Sequence, residues 1–129
     1  MSDFPKKTLL SIDDEEAILF IIQAGLSMTT GWRVLTATSG EDGLIKAQNN
    51  RLDAIILDAQ MPNMDGIATL HQLRKNPQTQ RIPVVFLTAT PQRIAYIQQE
   101  NLGVKGILAK PFDPITLAHQ VAKTLGWRP

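Results

Sequence analysis

Three aspartates, a threonine and a lysine stand at comparable places in this chain. Asp13-Asp14 follow Leu9–Ile12, Asp58 follows Ile55–Leu57, Thr88 follows Val84–Leu87, and Lys110 follows Ile107–Ala109. Each closes a short apolar run. In an open parallel sheet, residues just beyond the carboxyl ends of the strands border the ligand crevice, so all five would meet along one edge. Singly, each has a plainer reading: strand ends are polar, and Asp13 or Asp14 could cap the helix that follows. Together the plain reading is poor, because three carboxylates and an ammonium would share one crevice by accident.

The chemistry of the set is coherent. Crowded carboxylates raise one another's pKa and need a cation to stay ionised. The chain has no cysteine and only two histidines, so the donors are oxygens and the cation is hard. Mg²⁺ suits best, since it takes few carboxylates, keeps several waters and bridges to phosphate oxygens. Lys110 supplies a second, compact positive charge. One carboxylate can then attack phosphorus to give an acyl phosphate, while metal and lysine neutralise the transferring group. Thr88 offers a hydroxyl to a newly arrived phosphoryl oxygen. Asp58 is the expected nucleophile: it closes a purely apolar run with no acidic neighbour in sequence, whereas Asp13 and Asp14 are adjacent, as metal holders can be.

The elements that must position these groups alternate along the chain. Thr8–Ile12, Ala54–Leu57 and Val84–Leu87 read as strands of a parallel sheet covered on both faces, because their apolar runs are continuous. Arg33–Ala37 and Gly106–Ala109 are weaker strand candidates. A helix is expected from Glu15 to about Met28, with Ile18, Ile21, Ile22, Gly25 and Leu26 on its apolar stripe. Ser39 can cap a second helix, with Asp42 completing a shortened capping box, and Gly43 makes that helix weak. A third runs from about Gly66 and ends near Asn76, since Pro77 disfavours helical geometry before it. Thr90-Pro91 and Asp113-Pro114 each pair an N-cap residue with proline at the first helical position. The last helix carries Leu117, Ala118, Val121, Ala122 and Leu125 at helical spacing. Five βα units make a doubly wound α/β fold, a five-stranded parallel sheet with five helices.

Composition narrows the field. The chain has 129 residues, 43% hydrophobic and 19% charged, with a formal net charge of +1. That is one domain with a real core and no general pull toward nucleic acid or an acidic membrane. Absent cysteine excludes disulfides, thiol nucleophiles and thiolate metal sites. No apolar run approaches the roughly 20 residues of a membrane span. The start, Met1 to Lys7, has no apolar signal core, and the expected location is the cytoplasm.

The sequence resembles the receiver domains of two-component response regulators. Asp13-Asp14-Glu15, Asp58-Ala59-Gln60-Met61-Pro62-Asn63-Met64-Asp65-Gly66, Thr88-Ala89 and Lys110-Pro111-Phe112 match that family in order and spacing. The expected domain is 4–127. The resemblance implies a flavodoxin-like sheet of strand order 2-1-3-4-5, an order known for the chemotaxis regulator of this family and taken from it rather than from spacing. It implies that Asp58 accepts a phosphoryl group from a sensor histidine kinase or a histidine phosphotransfer protein. Mg²⁺ would be held by Asp13, Asp14, Asp58 and the backbone carbonyl of Gln60. Lys110 would pair with the phosphoryl group, Thr88 would move to bond it, and Ala89 would leave its path open. The Lys110–Pro111 peptide would be cis, as only a bond before proline readily is. Gln60 and Thr90 take positions that tune phosphoryl lifetime in the family.

One position departs from the pattern. The family often carries Tyr or Phe three residues before the lysine, and here that residue is Ile107, so a swinging aromatic ring cannot be the readout. The expectation is a stand-alone receiver, since no output domain follows Pro129. It would catalyse only its own phosphorylation and dephosphorylation and act through an unidentified downstream protein. No nucleic-acid or membrane partner is expected; a homodimer is compatible with the same reading. Two rivals are weighed against it. A passive interaction module draws support from Ile107 but leaves the intact acid, hydroxyl and lysine set unexplained. An aspartate-nucleophile phosphatase of another α/β family usually has a second acid two residues after the nucleophile, where this chain has Gln60. His71 and His119 read as solvated helical histidines, and Trp32 and Trp127 as packing residues.

Overall fold

The computed structural model describes residues 5–127. Phe4, the expected first residue of the domain, and most of the segment read for an export signal lie outside the described residues. Five strands form one sheet: β1 Thr8–Ile12, β2 Arg33–Ala37, β3 Ala54–Asp58, β4 Val84–Thr88 and β5 Val104–Ala109. Every pairing is parallel and the order is β2-β1-β3-β4-β5. The helices are α1 Glu16–Thr30, α2 Gly40–Asn49, α3 Gly66–Lys75, α4 Pro91–Ile94 and α5 Leu117–Leu125, with a 3₁₀ turn, Ala95–Gln99, continuing α4. No helix of the described residues is long and apolar enough to cross a membrane.

The core has two layers because side chains alternate along each strand. Leu10, Ile12, Ile55, Leu57, Val84 and Phe86 point to one face, which α2, α3 and α4 cover with Ala47, Leu70, Leu73 and Ile94. Leu9, Ala54, Ile56 and Leu87 point to the other, covered by Ile22 and Leu26 of α1 and by Leu117, Ala118, Val121 and Ala122 of α5. Every residue of β3 and β4 is buried, as their unbroken apolar runs require. Each full burial of a large apolar side chain contributes about 2 kcal/mol, so these central strands fix where Asp58 and Thr88 emerge.

Several local expectations shift. The buried stripe of α1 is Leu19, Ile22, Leu26 and Thr30, while Ile21 lies exposed with Phe20 and Met28. Ser39 does cap α2, accepting from Asp42 N, and Gly43 is there because a Cβ would strike Ile12. The fourth helix is only four residues long before it tightens to 3₁₀. Its buried residue, Ile94, and Ile97 of the 3₁₀ turn lie three apart and face the core together. α5 begins at Leu117 with Thr116 at the N-cap; Asp113 instead closes the turn before it, accepting from Ile115 N at 2.9 Å. β5 starts earlier than its apolar segment, at Val104, after Gly103 in a left-handed conformation (φ 73°).

Two tertiary ties hold the far end of the sheet. The half-buried Arg74 guanidinium donates from Nε to Leu102 O at 2.5 Å and from Nη1 to Thr79 O at 3.3 Å. Burial pulls its pKa below the usual arginine range. Trp32 is buried and meets Trp127 edge to face at 5.4 Å, with Lys7 Nζ 4.7 Å over the Trp127 ring. Both tryptophans are packing residues, as expected, and His71 and His119 lie exposed on α3 and α5.

Candidate functional site

The parallel order brings β1 and β3 side by side, with Ile12 opposite Leu57. Asp13, one residue past β1, and Asp58, the last residue of β3, are therefore neighbours, and both are buried. Asp14 stands exposed at the rim. One carboxylate oxygen from each of these three residues can lie within 4.8 Å of the others. β5 lies two strands away, and Lys110 reaches in from its end. Its Nζ donates to Asp13 Oδ2 at 2.7 Å and lies 3.4 Å from Asp58 Oδ1. The Lys110–Pro111 peptide is cis.

The lysine is not shared equally, and that decides the electrostatics. Asp13 holds the shorter contact, and its Oδ1 also accepts from Glu15 N at 2.9 Å. The helix-entry role and the site role thus coexist in one carboxylate. Asp58 has only longer contacts, to Lys110 and to Gln60 N, both at 3.4 Å and both on Oδ1. Burial, and next the charge of Asp13, raise the Asp58 pKa from 3.8 to about 6 against the opposing pull of Lys110. For Lys110, burial works against the ammonium, but the hydrogen bond and charge of Asp13, with Asp58, outweigh it and raise its pKa. The pocket is therefore short of positive charge at Asp58. Its donor set is all oxygen, acidic and partly buried, which fits a small hard divalent cation.

The loop after β3 is built against the nucleophile. Asp65 caps α3, its Oδ1 accepting from Ala68 N at 2.8 Å. Gly66 N donates to Ala59 O at 2.9 Å, so the helix start lies on the end of β3. A Cβ on Gly66 would stand 2.7 Å from Ala59 Cα and closer still to the Asp58 carbonyl oxygen. Backbone cannot yield as a side chain can. Gly66→Ala is expected to cost about 3 kcal/mol in urea unfolding; a loss under about 1 kcal/mol would mean that the strand end relaxes freely. Sequence alone placed this glycine only at the start of the third helix.

The remaining expected residues divide. Thr88 is fully buried beside the pocket but bonds away from the acids: its Oγ1 accepts from Thr90 N at 3.1 Å. Ala89 is exposed next to it. The Gln60 side chain is also exposed, and its Nε2 donates to Thr90 Oγ1 at 3.2 Å, a link between loops that the sequence did not reveal. Ile107 lies outside the pocket, opposite Phe86 on β5 and packed against the core.

Known proteins share this arrangement. A family model described as the response regulator receiver domain matches residues 9–122. The alkaline phosphatase synthesis transcriptional regulatory protein PhoP of Bacillus subtilis is 37% identical over 108 residues, covering 84% of this chain and 44% of that protein. The chain spans less than half the length of the first two curated relatives it matches, 44% and 48%. Among solved structures, the Vibrio cholerae chemotaxis protein CheY4 superposes with a TM-score of 0.83 at 31% identity, covering 93% of this chain and 99% of that one. The receiver domain of the Pseudomonas aeruginosa sensor histidine kinase PA1611, solved with a magnesium ion coordinated in its active site cleft, gives a TM-score of 0.80 at 26% identity, with 95% and 99% covered. With the five-stranded order, the clustered acids and the family model in agreement, this chain belongs to the response regulator receiver domains of two-component signalling systems.

Proposed function

We propose that residues 4–127 form a receiver that takes a phosphoryl group on Asp58 from a histidine kinase or a histidine phosphotransfer protein and signals through contacts with a downstream protein. The observation that carries this is the unequal sharing of Lys110. Asp58 is buried among charged groups yet incompletely neutralised, and its Oδ2 makes no hydrogen bond among the described residues. That oxygen attacks phosphorus; the P–N bond to the donor imidazole breaks, and an acyl phosphate forms on Asp58. Lys110 is within reach of both carboxylates and turns toward the new phosphoryl oxygens, and the Thr88 hydroxyl rotates to donate to a third. Later attack of water on phosphorus breaks the bond to Asp58, releases inorganic phosphate and returns the free carboxylate. These are the only reactions the domain catalyses.

Asp13, Asp14, Asp58 and the Gln60 carbonyl would hold Mg²⁺, which when bound supplies charge neutralisation to the transferring group. The PA1611 receiver, with its coordinated magnesium, supports that assignment. The likeness to receivers also supports a cytoplasmic setting. Ile107 is aliphatic and packed, so the conformational signal leaves the pocket by the loops rather than through a swinging ring.

Incubation with acetyl phosphate and Mg²⁺ tests the reading. Intact mass is expected to show one phosphoryl adduct per chain, mapped to the peptide holding Asp58. Chelation of Mg²⁺ by EDTA is expected to slow its appearance by roughly 100-fold or more. An adduct on another residue, or one indifferent to EDTA, contradicts the proposal.

A further inference from the structure

We infer that Gln60 and Thr90 form a latch that holds Thr88 turned away from Asp58 and withholds the N-cap of α4, so that opening the latch both frees Thr88 and caps the helix. This rests on the phosphoryl-acceptor reading above. Three contacts line up across the mouth of the pocket. Gln60 Nε2 donates to Thr90 Oγ1 at 3.2 Å. Thr90 Oγ1 stands 3.5 Å from Thr88 Oγ1. Thr90 N donates to Thr88 Oγ1 at 3.1 Å. The chain of bonds runs from the loop after β3 to the end of β4, past the carboxylate of Asp58, whose Oδ1 accepts from Gln60 N at 3.4 Å.

The same hydroxyl is missing where the helix needs it. Thr90 is the N-cap of α4, immediately before Pro91, yet its side chain makes no cap bond. Its backbone lies at φ −129° and ψ 68°, away from the extended conformation that N-caps usually take. A threonine oxygen at this position ordinarily accepts from the second or third helical N–H. Here Gln60 is bonded to that oxygen, and the helix runs only from Pro91 to Ile94 before tightening to 3₁₀. Thr90 thus has two competing partners, the Gln60 amide and the first turn of α4. When Thr88 turns to donate to a phosphoryl oxygen, it leaves the Thr90 N–H and loosens the N-cap residue. The Thr90 hydroxyl can then exchange Gln60 for Gln92 N, the first-turn donor left over once Arg93 N donates to Thr90 O at 3.1 Å. The bistable element is one hydroxyl, and its position ties the pocket to the α4 surface.

Gln60→Leu, Thr90→Val and the double variant test this in the whole chain. Gln60→Leu leaves the backbone carbonyl in place and lets Thr90 cap; Thr90→Val keeps the branched shape and can neither latch nor cap. Both single variants are expected to speed phosphoryl uptake from acetyl phosphate with Mg²⁺ by about threefold, the worth of one exposed hydrogen bond, and the double by no more than that. Without any donor, the Thr88 γ-methyl NMR signal is expected to move in the same direction in both. Amide exchange at Gln92 is expected to slow by about threefold in Gln60→Leu and not in Thr90→Val. An additive double, an unmoved methyl signal, or equal exchange in the two single variants overturns the latch. Wild type that takes no phosphoryl group while the methyl signal and exchange behave as stated would overturn the acceptor reading and leave the latch standing.

Discussion

Asp58→Asn is expected to take up no phosphoryl group and, without divalent cations, to be more stable than the wild type at neutral pH. The first effect follows from the amide, which lacks the anionic oxygen that must attack phosphorus. The second follows from the raised Asp58 pKa, about 6 in the folded protein against an ordinary 3.8. The folded state holds this proton more tightly than the unfolded chain does. Below about pH 4 the carboxyl is protonated in both states and carries no penalty. As pH rises from about 4 to about 6, the unfolded chain ionises first and wild-type stability falls. Above that, the ionised carboxylate in its crowded pocket costs about 2 to 3 kcal/mol. Asparagine is neutral throughout and escapes that loss. Urea unfolding of both proteins in EDTA at pH 4, 6 and 8 reads the difference directly. Parallel stability curves would show that Asp58 is not electrostatically strained, and an adduct on the variant would remove it as the acceptor.

Lys110→Ala should be the most damaging change to the pocket that leaves the acceptor in place. Lys110 Nζ is the charged partner within 2.7 Å of Asp13 and 3.4 Å of Asp58. Without it, two buried carboxylates face each other, and breaking a buried pair typically costs about 3 kcal/mol or more. Mg²⁺ would offset part of that loss. Phosphoryl uptake is expected to fall by roughly 10²- to 10³-fold, as when one preorganised charge is withdrawn from a transferring group. Lys110→Arg is a poor substitute, since the planar fork does not occupy the point position of an ammonium. The stability loss should be smaller in the Asp58→Asn background, where one of the two carboxylates is gone. A drop in uptake of less than about tenfold would mean that Lys110 serves the fold alone.

Much of the architecture was readable because the signals were unambiguous. Short continuous apolar runs rich in β-branched residues, such as Ile55–Leu57 and Val84–Leu87, suit a buried parallel strand between helical segments, and β3 and β4 are wholly buried. The stripe of α1 is legible at Ile22 and Leu26 but not at Ile21, for a related reason. Ala17 to Ile22 is six apolar residues in a row, so more than one helical face was available. Contact with the sheet selected Leu19 over Ile21. The shortness of α4 was hidden because Thr90-Pro91 is a sound start signal, and nothing local shows that Gln60, thirty residues away, is bonded to the capping hydroxyl.

The acids, the hydroxyl and the lysine were identifiable as a set from their place after apolar runs, since strand polarity puts every carboxyl end on one edge. The order of strands and the distances between side chains were not. Which carboxylate Lys110 would hold more closely, and hence which would keep a raised pKa, depends on angstrom-scale separations between residues far apart in the chain. Pattern along a chain specifies direction and face, because those repeat locally. Charge balance falls off with distance in space, and only the assembled sheet sets that distance.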